Sequence, residues 1–389
     1  MCNAASIAYR YRMTSRSSAQ TSSTTWLSRL VAFDSRNGTG DEIALVNYLA
    51  EALKAHSPDK LCVETVSRSR GKTDSAYVLA VWGKPEILLN VHIDTVPSGK
   101  GWDADPLSLR EDGDKLIGLG ASDIKGAAAC ILAALETLTP RNAAVLFSGD
   151  EEHGSEVMPA VIAAGHTAGA PMAIVCEPTG CRVGRRHRGM LAFQTMFTGP
   201  GGHSSLSDLT EAPLLNAARL AAAVGDYGDK FRDFGDDPYK GLAVNIGDLR
   251  SDGAYNVIPT TAELKFSLRP PPGDDVGARA NDIRKIAEDM FPDNSLDTIV
   301  EFPSFETRNL AAFETYFGPF EPLDLPYWTE AAMLSDAGLN VVVYGPGDVE
   351  QAHKPNEYVT KTQMRAAQTV YAAALSGGMS IRKSTSEAS

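Results

Sequence analysis

The chain has 389 residues and a mass of 41.5 kDa, more than one core usually accommodates, and a prior of about one domain per ~150 residues gives two. A net charge of -13 with a pI near 5.1 argues against nucleic-acid or anionic-membrane binding, because either partner would repel the chain within a Debye length. No apolar run reaches the roughly 18 residues of a membrane span, and the five cysteines (Cys2, Cys62, Cys130, Cys176, Cys181) are odd in number and form no CxxC pair, which suits a reducing, cytoplasmic compartment.

The first 33 residues hold no Asp or Glu but carry Arg10, Arg12, Arg16 and Arg29 among many serines. That composition resembles a transit peptide yet lacks a secretory apolar core, and it equally fits a loose extension upstream of a later start such as Met13. Residues 1–24 are therefore expected to be a disordered extension, and 376–389 a disordered tail. From about Trp26 to Val175, helix and buried-strand signals alternate, the pattern of a βαβ sheet. Helices are expected over Asp41 to Ala55 and Ile124 to Leu138, the latter with Asp123 at its start as an N-cap or as a ligand turned toward a metal.

Four apolar runs end in metal-type side chains. Ile87-Leu88-Leu89-Asn90 leads to His92 and Asp94, Ala143 to Phe147 leads to Asp150-Glu151-Glu152, Ala173-Ile174-Val175 leads to Glu177, and Val341 to Tyr344 leads through a glycine turn to His353. Ligands of open parallel sheets bind beyond the carboxyl ends of the strands, so these ends can meet in one crevice. His92, Asp123, Glu152, Glu177 and His353 supply two imidazoles and three carboxylates, enough for two ions sharing a bridging group. Singly each is weak: His353 alone is as ordinary on a surface as in a site, and lone acids after strands are commonly caps.

Asp94 sits on the same strand face as His92 and suits the task of accepting its second ring N–H, the bland alternative being a turn aspartate before Pro97. Glu151 and Glu152 point apart in an extended segment, so one can bind metal while the other takes a proton from water. Dinucleotide, serine-hydrolase and HExxH motifs fail on inspection. The residues point to a metal-dependent hydrolase.

The pattern changes at Gly189. Met190 to Thr198 and Thr261 to Arg269 alternate like half-exposed strands, and Leu214 to Ala223 and Asp282 to Met290 are helix-like. An α+β insert over 189–300 is expected, interrupting a catalytic domain of residues 25–188 and 301–375 that resumes with a helix near Thr329 to Asp336. The Arg185, Arg186, Arg188 cluster at the junction is expected to be a solvated hinge. His203, after Gly-Pro-Gly-Gly, is by itself a turn residue.

The stretches VHIDTVP, GLGASDIKGAAA, SGDEEHG, CEPT, HRG, GGHSS, NVIPT, YWTEA and YGPGDVEQAHKPNEY resemble the di-zinc acetylornithine deacetylase family, whose relatives include succinyl-diaminopimelate desuccinylase, aminoacylase and glutamate-releasing carboxypeptidases. The likeness runs from about residue 26 to 375, and its last two stretches, with the EPT and HRG elements, are most similar to enzymes that deacetylate N-acetylornithine or N-acetylcitrulline. The resemblance implies an α/β fold in which a mixed sheet flanked by helices, zinc-peptidase-like, carries an inserted α+β lid and dimerisation domain.

It also implies two Zn2+ per subunit, replaceable by Co2+ or Mn2+, on His92, Asp123, Glu152, Glu177 and His353, with Asp123 bridging. Glu151 then matches the general base and Asp94 the residue that orients histidine. His203 matches a lid histidine reaching the neighbouring subunit's site in a homodimer. Asn256, Arg269 and Gly345 match positions around a small-molecule N-acyl amino acid, though Arg269 serves equally well as a lid-strand residue. Ile124 departs from relatives that carry Asp or Asn after the bridging aspartate. A dipeptidase or carboxypeptidase of the same family, and a silent metabolite-binding dimer, are the alternatives.

Overall fold

A computed structural model describes residues 22–68, 73–167, 169–206 and 212–377. Nine strands form the main sheet, in the order Lys60–Val66, Ser75–Trp82, Ala143–Ser148, Ile87–His92, Met172–Val175, Asn340–Val343, Gly184–His187 and Phe305–Glu306, with Leu323–Asp324 also on Gly184–His187. The sheet is mixed: its outer pairs run antiparallel except Leu323–Asp324, which lies parallel to Gly184–His187, while Ala143–Ser148, Ile87–His92, Met172–Val175 and Asn340–Val343 are adjacent and mutually parallel.

Those four strands read as uninterrupted apolar runs because helices cover both faces. Along Ala143–Ser148, Ala143, Val145 and Phe147 enter one core with Trp26, Leu45, Ile131 and Tyr371, while Ala144 and Leu146 enter the other with Val157, Met158 and Leu334. Helix Lys125–Leu135 is buried on every side, and its alanines let Ser23–Val31 and Lys361–Ser376 pack closely against it. Lys361–Ser376 is fixed at its start by a capping box in which Thr360 and Gln363 bond each other's backbone N–H.

A second, four-stranded antiparallel sheet runs in the order Ala243–Ser251, Thr261–Arg269, Met190–Thr198 and Asp297–Phe302. Alternation along Met190–Thr198 sends Leu191, Phe193 and Phe197 into a separate core beneath helices Pro213–Asp229 and Val276–Met290. Its last strand ends at Phe302, two residues beyond the expected insert. No described helix is long and apolar enough to cross a membrane.

Both expected tails fall largely outside the described residues. At the amino end, Ser22 caps helix Ser23–Val31 by accepting Thr25 N–H, so ordered chain begins inside the expected extension; at the other end the last helix reaches Ser376. The arginine cluster is not a solvated hinge. Arg185 and Arg186 donate to Asp324 within the main sheet, while Arg186 also donates to the Asp237 carbonyl and Arg188 to the carbonyls of Gly241 and Arg269, which ties the insert to the main sheet.

Candidate active site

Parallel pairing levels the carboxyl ends of the four central strands: His92 lies opposite Ser148, and Val175 opposite both Asn90 and Val343. Beyond them, His92 Nε2 lies 3.1 Å from Asp123 Oδ1 and 3.8 Å from Glu177 Oε2. His353 Nε2 lies 2.8 Å from Glu152 Oε1 and 3.5 Å from Asp123 Oδ2. The structure thus gathers five residues into two groups, His92-Asp123-Glu177 and Asp123-Glu152-His353, that share Asp123 through its two oxygens.

Of the two readings of Asp123, the helix cap is not what its side chain does. Ile124 occupies the N-cap position without a side-chain bond, because the Asp123 carboxylate is turned to the imidazoles; the Asp123–Ile124 peptide is cis. Glu151 and Glu152 likewise are not extended. They form a 3₁₀ turn after Asp150, which has a φ of 71°. Arg68 pairs with Asp150 at 2.7 Å, and Asp150 in turn accepts Glu156 N–H, holding the turn from behind.

Asp94 is buried and does more than face a ring. His92 Nδ1 lies 3.2 Å from its carbonyl oxygen and 3.4 Å from Oδ1, while the carboxylate accepts the backbone N–H of Glu151 and Glu152 and the amide of Asn37. Two carboxylates that the strand-end pattern did not single out also belong here. Glu357 accepts the backbone N–H groups of Gly120, Ser122 and Asp123 at 2.8–2.9 Å, clamping the loop that presents Asp123. Glu330, 1% exposed, accepts from Ser148 behind His92. Its signal was position within the YWTEA stretch, and that of Glu357 its place four residues after His353.

Burial and neighbouring acids drive the carboxyls upward: Glu151 and Glu177 well above the usual range, Glu152 to about 6, Glu330 to about 7 and Glu357 to about 8. Neighbouring carboxylates hold the His92 imidazole well above its ordinary value despite burial, and Glu152 raises His353 to about 9. So many acids crowded out of water around two imidazoles demand positive charge, and a nitrogen-and-oxygen donor set with one shared carboxylate fits a pair of divalent cations.

The remaining expected residues stand elsewhere. His203 is exposed on the short pairing of Gly202–His203 with Val257–Ile258, its ring bonded to Ser205 at 2.7 Å, apart from both groups. Asn256 is exposed and holds Ser204 N–H through its backbone carbonyl. The Arg269 guanidinium is half-buried without an acid among the described residues, and burial lowers its pKa. Gly345 is buried rather than open to a ligand. A Cβ there would lie 2.6 Å from the Glu177 carbonyl, so glycine lets this turn press on the Glu177 loop, where its N–H donates to Thr179.

A sheet that gathers carboxylates and imidazoles at its carboxyl edge, joined to an antiparallel insert, defines a hydrolase of the metallopeptidase type. Residues 88–377 match the Peptidase family M20/M25/M40, and the chain belongs to that family. It is 36% identical to the N-acetyl-L-citrulline deacetylase of Xanthomonas campestris pv. campestris, covering 87% of this chain and 93% of that one. With the acetylornithine deacetylase of Proteus mirabilis it shares 30% identity over 84% and 88% of the two chains. Its fold is similar to that of an M20 family metallo-carboxypeptidase from Sulfolobus solfataricus, with a TM-score of 0.70, 17% identity, and coverage of 90% and 97%.

Proposed function

We propose that this chain hydrolyses the acetamide of an N-acetyl amino acid, N-acetylornithine or N-acetylcitrulline, releasing acetate in arginine biosynthesis. The observation that carries the reading is Asp123, whose two oxygens face two separate imidazole-and-carboxylate groups beside Glu151. The substrate class follows the two deacetylase relatives. Zinc is the metal proposed, with cobalt or manganese as substitutes: His92, Asp123 and Glu177 would hold one ion of each subunit and Asp123, Glu152 and His353 the other. When bound, the ions supply Lewis acidity and bring the pKa of a water toward neutrality.

Glu151 takes the proton of the attacking water and passes it to the leaving amine, a role its buried, acid-crowded carboxyl suits. Asp94 orients His92 and fixes the turn that carries Glu151. Arg269 offers a guanidinium that no acid pairs among the described residues to the substrate α-carboxylate, and Asn256 a polar contact from the same insert.

The chain acts as a homodimer, with His203 of one subunit stabilising the oxyanion in the other's site. Two features support this: His203 belongs to neither ligand group, and among the described residues the edge strand Ala243–Ser251 is bonded on one side only and exposes Ile246 and Leu249. Free Cys62, Cys130, Cys176 and Cys181 suit a reducing cytoplasm.

The test is acetate release by purified, zinc-loaded protein from N-acetylornithine and N-acetylcitrulline, beside a panel of dipeptides. One acetylated substrate is expected to turn over and Glu151→Gln to abolish turnover while keeping its zinc. Preference for dipeptides would move the chain to the peptidases, and turnover of neither would leave a metabolite-binding dimer.

A further inference from the structure

A second cluster of ligating side chains lies at the far edge of the main sheet. Cys62 and Glu64 occupy alternate positions on Lys60–Val66, which among the described residues pairs only with Ser75–Trp82, so both side chains leave the same face. On that face His166 arrives from the turn after helix Val157–Ala163. Cys62 Sγ lies 3.7 Å from His166 Nε2 and 3.9 Å from Glu64 Oε1, and one ligand atom from each of the three falls within 4.8 Å of the others. Three strand spacings, roughly 14 Å, separate this edge from the His92 strand.

The surroundings select the ring form a metal needs. Tyr77, opposite Glu64 in the register and fully buried, donates its phenolic proton to Glu64 Oε2 at 2.6 Å. His166 Nδ1 lies 3.0 Å from the same phenol oxygen. With that oxygen's proton committed to Glu64, Nδ1 carries the ring hydrogen and donates it, leaving the Nε2 lone pair aimed at Cys62 Sγ. Metal-binding histidines are oriented in this way, by a polar partner on the nitrogen that does not ligate.

We propose that Cys62, Glu64 and His166 form a third, non-catalytic metal site that takes one Zn2+. A thiolate, an imidazole and a carboxylate are zinc ligands, and the thiolate excludes the hard cations magnesium and calcium. Tetrahedral bonds of ~2.3 Å to sulfur and ~2.0 Å to nitrogen set those atoms about 3.5 Å apart, close to the spacing already present. The thiol loses its proton to solvent as the ion binds, and a water completes the four ligands. Because helix Val157–Ala163 follows directly from the Glu151–His153 turn, the ion ties the segment behind the catalytic acids to the edge strand.

The full chain is dialysed against buffered free zinc, and its metal content compared with that of Cys62→Ser and Glu64→Gln. Each variant is expected to hold one zinc fewer per subunit than the unaltered chain, with its hydrolase activity unchanged. Cobalt loading should give a near-ultraviolet thiolate charge-transfer band in the unaltered chain that Cys62→Ser abolishes, since the groups around Asp123 contain no sulfur. Equal metal content in all three proteins, or a cobalt spectrum unaffected by Cys62→Ser, would overturn the site. Because the readout is a difference at Cys62, it stands apart from the identity of the catalytic substrate.

Discussion

The Asp94 carboxylate accepts the backbone N–H of Glu151 at 3.1 Å, so the residue facing His92 also fixes the turn that carries the neighbouring acids. Its second oxygen serves Glu152 N–H and the Asn37 amide. An amide has one acceptor oxygen and would turn an N–H group toward at least one of these donors. Asp94→Asn is expected to lower zinc affinity or turnover by about 10- to 100-fold, and to destabilise the fold by about 1–3 kcal/mol. Zinc titration, steady-state kinetics and urea unfolding read the three effects, and an unaltered zinc affinity with full turnover would remove Asp94 from the site.

Glu357 is coupled to Asp123 in a comparable way, through the backbone rather than the ring. Its carboxylate holds three N–H groups of the Gly120–Asp123 loop and is 2% exposed, so these donors are shielded from bulk water. Glu357→Ala strands buried donors that each cost about 1–3 kcal/mol, and should lose at least about 3 kcal/mol together with zinc affinity. Glu357→Gln, which keeps one acceptor, should recover part of both. If the alanine variant binds zinc as well as the unaltered chain, Asp123 is held by something else.

The strands that build this site were legible because their covering on both faces left uninterrupted apolar runs, and His92 and Glu177 stood at the ends of those runs, with His353 beyond a glycine turn. Their neighbour order was not, since periodicity carries no information about which strands pair across a hundred residues. The local pattern left Asp123 open between helix cap and ligand for a related reason: its side chain answers to residues 31 and 230 positions away, not to its own helix. Glu151 and Glu152 bend into a 3₁₀ turn because Asp150 is left-handed, which no local pattern announces. Glu357 and the pairing of Cys62 with His166 are likewise products of the tertiary fold. His203, Asn256 and Arg269 entered through family resemblance alone, and they stand on the insert rather than at the strand ends.

Chelation offers a direct test of the crowded acids. Stripping divalent ions is expected to abolish hydrolysis and to lower the unfolding temperature, and adding zinc back to restore both. An ion present at a thousand times its dissociation constant contributes about 4 kcal/mol to folding stability. Calorimetry of stripped and reloaded protein measures this, and identical unfolding curves would argue against bound cations.

If His203 works across subunits, two inactive variants should rescue each other. Glu151→Ala and His203→Ala, refolded together, give mixed dimers in which one of the two composite sites keeps both residues. Activity is expected to return on mixing and to be absent from either variant alone. A mixture as inactive as its components would return His203 to the status of a turn residue.

His187 provides a pH test away from any proposed ligand. It is fully buried beside Phe305 and Trp328, with Nδ1 donating to the Arg188 carbonyl and Nε2 accepting the backbone N–H of Thr329. A proton on Nε2 would face that donor, and burial, the largest cause, lowers the imidazole from 6.5 to about 4. The unfolded chain therefore binds this proton first as the pH falls. The stability contributed by the neutral ring is present above pH 6.5 and is lost as acid passes through about 4, a change of roughly 3 kcal/mol. His187→Gln keeps an acceptor for Thr329 and cannot titrate. It should be less stable near neutrality, because it leaves the aromatic contacts, yet lose less stability between pH 6.5 and 4 than the unaltered chain. Urea unfolding of metal-free protein across that window compares the two slopes with ion release excluded. Parallel curves would mean that His187 is already protonated in the fold, and that Thr329 is held to it by some other arrangement.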